Sequence, residues 1–169
     1  MEILIPGLIL VALMVYVSTR IKRTAADAYE KERVETADFA ITKPEGFIII
    51  VNNDPIVVFG AYSKEYGLEK ADVFRQVVAE VRIYKDQAFE KVRDSILSAA
   101  SKTIDERHLA GGSLIVETET IRDDVAFDNE SRLWEKGATT FEFRVTALSE
   151  TREANKKNID ELLSSFEVK

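Results

Sequence analysis

The single histidine of the chain, His108, is the only imidazole that could serve as a general base near neutral pH. It follows the charged stretch Asp105-Glu106-Arg107 and comes shortly before a Gly-Gly turn signal. A histidine in this setting is more typical of an exposed loop or strand end than of an acid–base centre. We therefore predict no catalytic residue in this chain.

An acidic stretch, residues 123–130, carries four carboxylates and one amide within eight positions. Oxygen ligands of this kind suit a hard divalent cation such as calcium, which needs several of them. The spacing is not that of an EF-hand loop, and the central glycine of such a loop is missing. We interpret the stretch as a solvated acidic loop and predict no metal or cofactor. The weak alternative is a cation site formed by Asp123, Asp124, Asp128 and Glu130.

Aromatic residues near the C-terminus could form a surface for a binding partner. Trp134, Phe141 and Phe143 are close in sequence, and the two phenylalanines alternate with Glu142 and Arg144. This alternation predicts a half-buried strand that turns its aromatic side chains to the core and its charges to solvent. Aromatic side chains at alternating positions are more often core residues, and Trp134 is the candidate for an interaction surface.

Basic residues show no sequence pattern that would indicate a dedicated binding site. The arginines Arg75, Arg82, Arg93 and Arg144 are scattered, and charges spaced in this way usually lie on solvated faces. The chain has 23 basic and 30 acidic residues, which gives a net charge of −7. This balance argues against nucleic acid as a partner, although it is compatible with a local basic patch.

Motifs for nucleotide binding and for common hydrolase chemistry are absent from the sequence. None of the seven glycines forms a G-x-G pair or precedes Lys-Ser/Thr, which excludes the dinucleotide fingerprint and the Walker phosphate loop. A Gly-x-Ser-x-Gly elbow is also missing. The lack of cysteine excludes disulfides and thiol catalysis and, with only one histidine, the common zinc sites.

Residues 1–19 are predicted to form an uncleaved membrane anchor. Residues 3–19 are uncharged and mostly aliphatic, and as a helix they would span about 25 Å, the lower limit for a bilayer. A cleaved signal peptide is one alternative, but Glu2 replaces its basic start and no small-x-small cleavage site follows. A buried core helix is another, but such a helix is usually shorter and amphipathic.

The charges that flank the apolar run predict its orientation. Residues 1–19 contain no lysine or arginine, whereas Arg20, Lys22 and Arg23 follow at once, and Tyr16 falls at the depth of the lipid headgroups. Positive flanks stay on the cytoplasmic side of a membrane. We therefore expect a single-pass protein of the inner cell membrane whose C-terminal part lies in the cytoplasm.

The remaining chain is predicted to be a spacer followed by one domain. Residues 20–37 are polar with charges of alternating sign, which favours a short juxtamembrane helix or spacer. Residues 38–169 show no internal repeat and no second linker. Because the predicted strands adjoin one another in sequence, we expect an α+β domain with a mainly antiparallel sheet and packed helices.

Strands are predicted at 39–41, 47–51, 56–62, 113–121, 133–135 and 139–148 from their β-branched or alternating residues. The turn Asn52-Asn53-Asp54-Pro55 predicts a hairpin, and Lys136-Gly137 predicts another. Residues 73–84 fit a helical face as well as a strand, and their β-branched content favours the strand.

Two helices are predicted in the domain. The first covers 87–102, with Asp86 as its N-cap and apolar residues at helical spacing. The second begins near Ser149, a good N-cap, and its apolar positions form one packed stripe, Ile159, Leu162, Leu163 and Phe166.

Specific residues at both ends of the domain resemble those of a known fold. The stretch FAITKPEGF (39–47) is similar to a strand, a proline–glycine turn and a bulky aromatic residue of that group. The stretch IDELLSSF (159–166) is similar to its terminal helix, which runs into "SF" and a final short strand. Over about 39–169 the chain thus resembles the PsbP-like fold of photosystem II PsbP proteins, Mog-type Ran-binding proteins and DcrB-type bacterial proteins.

The resemblance implies a non-catalytic module that binds other proteins or assists a larger complex. Members of the group are often exported or lumenal, whereas the flanking charges here predict a cytoplasmic domain. We therefore predict a membrane-tethered interaction module with a protein partner, and a homo-oligomer is compatible with it. The first alternative is a domain that encloses an apolar cavity for a lipid or small molecule. A hydrolase is less favoured, since it would need carboxylates or His108 gathered in a cleft.

Overall fold

The computed structural model describes Met14, residues 26–109 and residues 112–169. Tyr16, Arg20, Lys22, Arg23 and all of the predicted anchor except Met14 lie outside these residues, so the anchor stays a prediction. Within the described parts, no helix combines the length and the apolar character that crossing a membrane requires.

The described residues form an α+β fold, which confirms the predicted class. Its strands and helices in chain order are β1 (Glu32–Glu35), β2 (Phe39–Lys43), β3 (Phe47–Ile49), β4 (Val57–Ser63), β5 (Val77–Lys85), α1 (Phe89–Ala99), β6 (Lys102–His108), β7 (Leu114–Arg122), β8 (Val125–Lys136), β9 (Thr139–Leu148), α2 (Lys156–Ser165) and β10 (Glu167–Val168).

Seven of these strands form one antiparallel sheet in the spatial order β3-β4-β5-β9-β8-β7-β6. Each hydrogen-bonded pair within it is antiparallel, as expected from the sequence. The meander β3-β4-β5 and the meander β6-β7-β8-β9 meet where β5 pairs with β9. Strand β9 therefore lies at the centre of the sheet, with β5 and β8 on its two sides.

A second sheet of three strands, in the order β1-β2-β10, joins the two ends of the domain. Residues 32–35 form β1 here, so this part of the stretch for which a helix or spacer was predicted is a strand. Four register pairs with β2 hold it in place, and β10 pairs with the other side of β2. The short final strand agrees with the terminal strand that the resemblance implied.

Most strand predictions are confirmed, and residues 73–84 contain the favoured strand from Val77 onward. Strand β6 was not predicted, because its sequence KTIDERH lacks the apolar alternation of a half-buried strand. The acidic stretch 123–130 is only in part a loop. Asp123 and Asp124 form the turn between β7 and β8, and β8 begins directly after them.

The helix boundaries differ from those predicted. Asp86 does not cap α1; it has a positive φ of 59° in the preceding turn, and Ala88 is the N-cap residue. Helix α2 begins at Lys156 rather than near Ser149. Ser149 lies in a 3₁₀ turn, where its hydroxyl donates to Asp128 Oδ1 at 2.8 Å. The Ser149 side chain, which was expected to cap α2, thus forms a tertiary hydrogen bond instead.

The main hydrophobic core lies between α2 and one face of the seven-stranded sheet. The predicted stripe of α2 is buried, and Phe166 stacks on Phe143 of β9 at a ring-centroid distance of 4.8 Å. Alternate residues of β5 and β9 complete this face, namely Val77, Ala79, Val81, Val145 and Ala147. Strand β2 closes the core with Phe39 and Ile41.

Helix α1 covers part of the opposite sheet face. Its Val92 and Ile96 pack on Leu114 and Val116 of β7 and on Leu133 of β8. Glu142 of β9 lies on this face and is fully buried, so the prediction that its carboxylate faces solvent is wrong.

The turn at Gly67 admits no larger side chain. A Cβ atom there would lie 2.6 Å from Ala71 Cβ and 2.7 Å from the Ala71 backbone oxygen. At Gly60 the nearest atoms belong to the flexible side chain of Ile50, with the closest at 2.7 Å. We expect Gly67→Ala to lower the free energy of unfolding by about 1–3 kcal/mol, because backbone must shift, and Gly60→Ala to lower it less.

The measurement is urea unfolding of the full chain, followed by the fluorescence of Trp134, its single tryptophan. Equal stability of the two alanine variants would contradict this account of Gly67.

Candidate functional site

Four arginines surround two adjoining hollows on the sheet face that α1 covers only in part. We call this region the arginine cleft and define it by Arg75, Arg82, Arg122 and Arg144. One hollow, of about 200 Å³, has all four in its lining, and the other, of about 150 Å³, shares Arg122 and Arg144. The sequence predicted scattered, solvated arginines, so the convergence of Arg75, Arg82 and Arg144 corrects that interpretation.

The register of the sheet explains why these residues meet. Arg82 lies on β5 and Arg144 on the neighbouring β9, and both point to the α1 face because residues of a strand alternate between faces. Arg122 ends β7, opposite Val125 of β8. Arg75 comes from the segment before β5 and forms an isolated bridge with Tyr66.

Arg75 is held in place by aromatic rings and backbone carbonyls. Its guanidinium lies over the ring of Tyr66, 3.8 Å from the ring centroid, and 4.3 Å from that of Tyr62. It donates hydrogen bonds to the backbone oxygens of Lys64, at 2.6 Å, and Ser63, at 3.4 Å. Two aromatic faces and two carbonyls thus orient the cation, and no acidic side chain in the described part of the chain forms an ion pair with it.

Arg122 is the second cation of the cleft without an acidic partner among the described residues. Its guanidinium lies 5.4 Å from the ring centroid of Phe127. Phe127 in turn makes an edge-to-face contact with Phe74 at 5.2 Å. Arg122 is exposed, so its charge is open to a ligand.

Beneath the cleft lies a buried carboxylate, Glu142, whose exposed fraction is 0%. Its Oε1 accepts hydrogen bonds from Arg144 Nε at 2.7 Å and from Ser131 Oγ at 3.0 Å. Its Oε2 accepts one from the Tyr84 hydroxyl at 2.8 Å. The carboxylate is therefore satisfied on both oxygens, and it positions Arg144 in the wall of the cleft.

Arg82 is paired with a carboxylate on its own strand. Its guanidinium lies 2.6 Å from Glu80 Oε2. Burial lowers the pKa of Arg82, but the charges of Glu80 and Glu142 outweigh this effect. The net pKa is therefore raised, and the guanidinium stays protonated. Arg82 Nε is buried and has no hydrogen-bond partner among the described residues.

The Tyr84 phenol has a strongly shifted ionisation. Burial raises its pKa, and the charge and hydrogen bond of Glu142 raise it further, to about 12. In the unfolded chain the pKa of tyrosine is about 10. The folded state thus holds this proton more tightly, so its contribution to stability is complete below pH 10 and is lost between pH 10 and 12.

We expect the free energy of unfolding of the natural protein to fall more steeply from pH 10 to 12 than that of Tyr84→Phe. Urea unfolding at several pH values in this range measures both slopes. All other tyrosines are common to the two proteins, so parallel slopes would show that Tyr84 does not have the raised pKa.

The floor of the cleft is a set of hydroxyl and amide side chains that bond to one another. Thr146 Oγ1 donates to Asn129 Oδ1 at 2.8 Å, and Asn129 Nδ2 donates to Thr120 Oγ1 at 3.2 Å. Asn129 and Thr118 are buried. Because these groups satisfy each other, the floor is polar and fixed before any ligand binds.

The structure separates the four carboxylates of the candidate cation site. Asp123 and Asp124 lie in the β7–β8 turn. Asp128 and Glu130 project from β8 toward Arg152, with Nε–Oδ2 and NH2–Oε2 distances of 3.9 and 3.8 Å. Within residues 26–109 and 112–169, no group of three or more histidine or acidic side chains could hold a metal ion.

Trp134 and His108 lie outside the arginine cleft. Trp134 is partly buried on the core face, with its ring centroid 5.0 Å from that of Phe166. Its role as an interaction surface stays a prediction. His108 is exposed at the end of β6, opposite Leu114, as expected of a strand-end residue.

Sequence reasoning missed the cleft because its members come from three strands and a loop. Thr118, Thr120 and Arg122 occupy alternate positions of β7, and Arg82 and Arg144 each follow an acidic residue by two positions. These i, i+2 spacings place each group on one strand face. They do not indicate which strands will be neighbours.

No protein-family model matches the chain, and no curated protein matches its sequence. Solved structures do match. Cyanobacterial PsbP from Synechocystis sp. PCC 6803 superposes with a TM-score of 0.57 at 15% identity, over 83% of this chain and 94% of that one. The Ran-binding protein Mog1p of Saccharomyces cerevisiae gives 0.54 at 13%, over 83% and 96%. The chain has the PsbP-like fold.

The PsbP-like fold also occurs in LpqN of Mycobacterium tuberculosis, a protein involved in cell envelope biogenesis. LpqN superposes with a TM-score of 0.56 at 8% identity, over 82% of this chain and 90% of that one. Each of these three proteins is matched over nearly its whole length. The predicted resemblance is thus confirmed at the level of the fold.

Proposed function

We propose that this chain is a single-pass, membrane-tethered, non-catalytic module that binds another protein on the cytoplasmic side of the inner cell membrane. The observation that carries the proposal is the arginine cleft. It is an open, preformed, cationic groove, and two of its guanidiniums, Arg75 and Arg122, have no acidic partner among the described residues.

The fold supports protein binding by analogy. Mog1p, whose scaffold is the same, is a Ran-binding protein. One scaffold can carry different functions, so the analogy favours a class of activity and not a particular partner.

The described residues favour binding over catalysis. The arginine cleft offers cations, hydroxyls and amides, but its lining contains no histidine and one carboxylate, Glu80. Glu142 lies beneath it, satisfied by three hydrogen bonds. General acid–base catalysis needs an accessible titratable group with a reacting partner, and this constellation lacks one.

The N-terminal sequence supports the tether and its orientation. The uncharged run of residues 3–19 is followed directly by Arg20, Lys22 and Arg23. A tether of this kind keeps the domain close to the bilayer and raises its effective concentration for membrane-bound partners.

Crosslinking of the full-length protein in its native membranes tests the proposed binding function. Cells that express the chain are treated with a crosslinker, and the purified adducts are identified by mass spectrometry. We expect one adduct that a reciprocal pull-down recovers, either with a different protein or with a second copy. A monodisperse protein without any adduct would contradict the proposal.

A reporter fused to the C-terminus tests the orientation. An enzyme that is active only in the cytoplasm should be active in this fusion, and one that is active only outside should not. Activity on the outside alone would overturn the cytoplasmic placement. Recovery of the chain in the soluble fraction after lysis would overturn the tether.

A further inference from the structure

We propose that the arginine cleft binds an extended acidic segment of the partner protein. The inference rests on the proposed function, since it names the chemistry of the segment that such a module would recognise.

The first argument is charge. Arg75, Arg82, Arg122 and Arg144 line the two hollows together with one carboxylate, Glu80, while the chain as a whole carries a net charge of −7. A local excess of positive charge on an acidic protein concentrates anionic ligands at that spot. The same net charge opposes association with an anionic bilayer surface as a whole, which favours a single anionic segment over a membrane.

The second argument is preorganisation. Arg75 is fixed between two tyrosine rings and two backbone carbonyls, and Glu142 fixes Arg144 from below. Guanidiniums that are already oriented lose little conformational freedom when a carboxylate binds them. The guanidinium nitrogens that these contacts leave free, among them Arg75 NH2 and Arg144 NH1, can donate to carboxylate oxygens.

The third argument is shape. The two hollows share Arg122 and Arg144 and adjoin there, and their linings together reach across β5, β9, β8 and β7, which we call the track. At about 4.8 Å between neighbouring strands, this track is about 14 Å long, enough for about four extended residues. A track of this length exceeds what a single inorganic anion would fill.

The fourth argument is the apolar part of the lining. Phe74, Val78 and Phe127 line one hollow, and Ile96 of α1 lines the other. A peptide can place apolar side chains against these residues and carboxylates on the arginines beside them. The preferred segment therefore alternates acidic and apolar residues.

The experiment uses the full chain in a neutral detergent and a fluorescein-labelled octapeptide of alternating Leu and Glu. Binding is followed by fluorescence anisotropy at low and high salt. A peptide of alternating Leu and Gln is the control for the charge. We expect the Glu peptide to bind, the Gln peptide to bind at least about tenfold more weakly, and salt to weaken the Glu complex.

Variants locate the site. Arg122→Gln changes an exposed side chain and is expected to leave the fold intact. Arg75→Gln removes the second cation that has no acidic partner among the described residues. Each should weaken binding of the Glu peptide about tenfold or more, whereas Arg107→Gln on the edge strand β6 should not change it. Equal binding by Arg122→Gln and the natural protein would overturn the proposal.

Competition distinguishes the sources of anionic ligand. Displacement of the peptide by millimolar inorganic phosphate, or cleft-dependent binding of phosphatidylserine vesicles without binding of the peptide, would overturn the assignment to a protein segment. The crosslinking experiment separates the two proposals. If Arg122→Gln keeps the natural protein's adduct, the module binds a protein elsewhere and only the cleft assignment fails. If no adduct forms with the natural protein, the proposed function fails.

Discussion

Replacement of Lys43 by methionine is expected to lower the free energy of unfolding by about 3 kcal/mol or more, a large part of the 5–15 kcal/mol typical of a domain. Lys43 is fully buried, and its ammonium donates to the backbone oxygens of Ala28 and Phe47, at 3.1 and 2.9 Å, and of Glu30. Each acceptor that loses its donor in a buried setting costs about 1–3 kcal/mol. Methionine keeps an unbranched side chain as far as Cε and removes the ammonium with its donors.

The same contacts show why a lysine is tolerated inside the protein. Burial lowers the pKa of Lys43, while the charges of Glu32 and Glu30 act in the opposite direction. The ammonium connects residues 28–30 to the start of β3, so its loss should also release the chain before β1. Lys31 should then become more susceptible to trypsin.

Urea unfolding and limited trypsin digestion measure these two effects. Lys91→Met on the exposed face of α1 is the matched control and should change neither. A Lys43→Met protein as stable as Lys91→Met would show that the three carbonyl contacts contribute little.

Replacement of Glu142 by alanine is expected to have a similarly large effect, a loss of about 3–5 kcal/mol. Removal of one member of a buried ion pair leaves the other uncompensated, here Arg144 with its NH2 2.6 Å from Glu142 Oε1. Ser131 and Tyr84 would also lose their acceptor. Glu142→Gln keeps the shape and one acceptor oxygen, so it should lose about half as much.

The control is the more exposed pair of Glu117 and Arg107, whose side chains are 24% and 48% exposed and whose nitrogen and oxygen lie 2.7 Å apart. Glu117→Ala should cost about 1 kcal/mol or less, because water screens an exposed ion pair. Urea unfolding at pH 7 compares the three variants. A loss for Glu142→Ala no larger than that for Glu117→Ala would mean that Arg144 finds another partner.

The pattern of residues predicted the elements well where the apolar signal was local. The alternation in residues 139–148 and the turn at 52–55 predicted strand β9 and the β3–β4 hairpin, and the structure confirms both. Strand β6 gave no such signal, because its side chains are mostly exposed at the sheet edge. The start of α2 was wrong because Asp128, distant in sequence, takes the hydroxyl of Ser149.

The candidate site was much less predictable than the fold. Glu142 alternates with phenylalanines, and alternation alone predicts a solvated carboxylate on the outer face. It is buried because Tyr84, 58 positions earlier in the chain, and Ser131 of β8 close over it. No local sequence pattern predicts that Tyr84 and Ser131 will contact Glu142.

The sequence alone determined the features that depend on a single segment. These are the absence of nucleotide and thiol motifs, the apolar stripe of α2, and the apolar N-terminal run followed by Arg20, Lys22 and Arg23. Only the tertiary structure decided that Arg75, Arg82, Arg122 and Arg144 share one cleft and that Lys43 and Glu142 are buried charges. The physical reason is that helical and strand periodicity depends on near neighbours. The convergence of charges depends on which strands pair and in which register, and that is set by burial of the whole core.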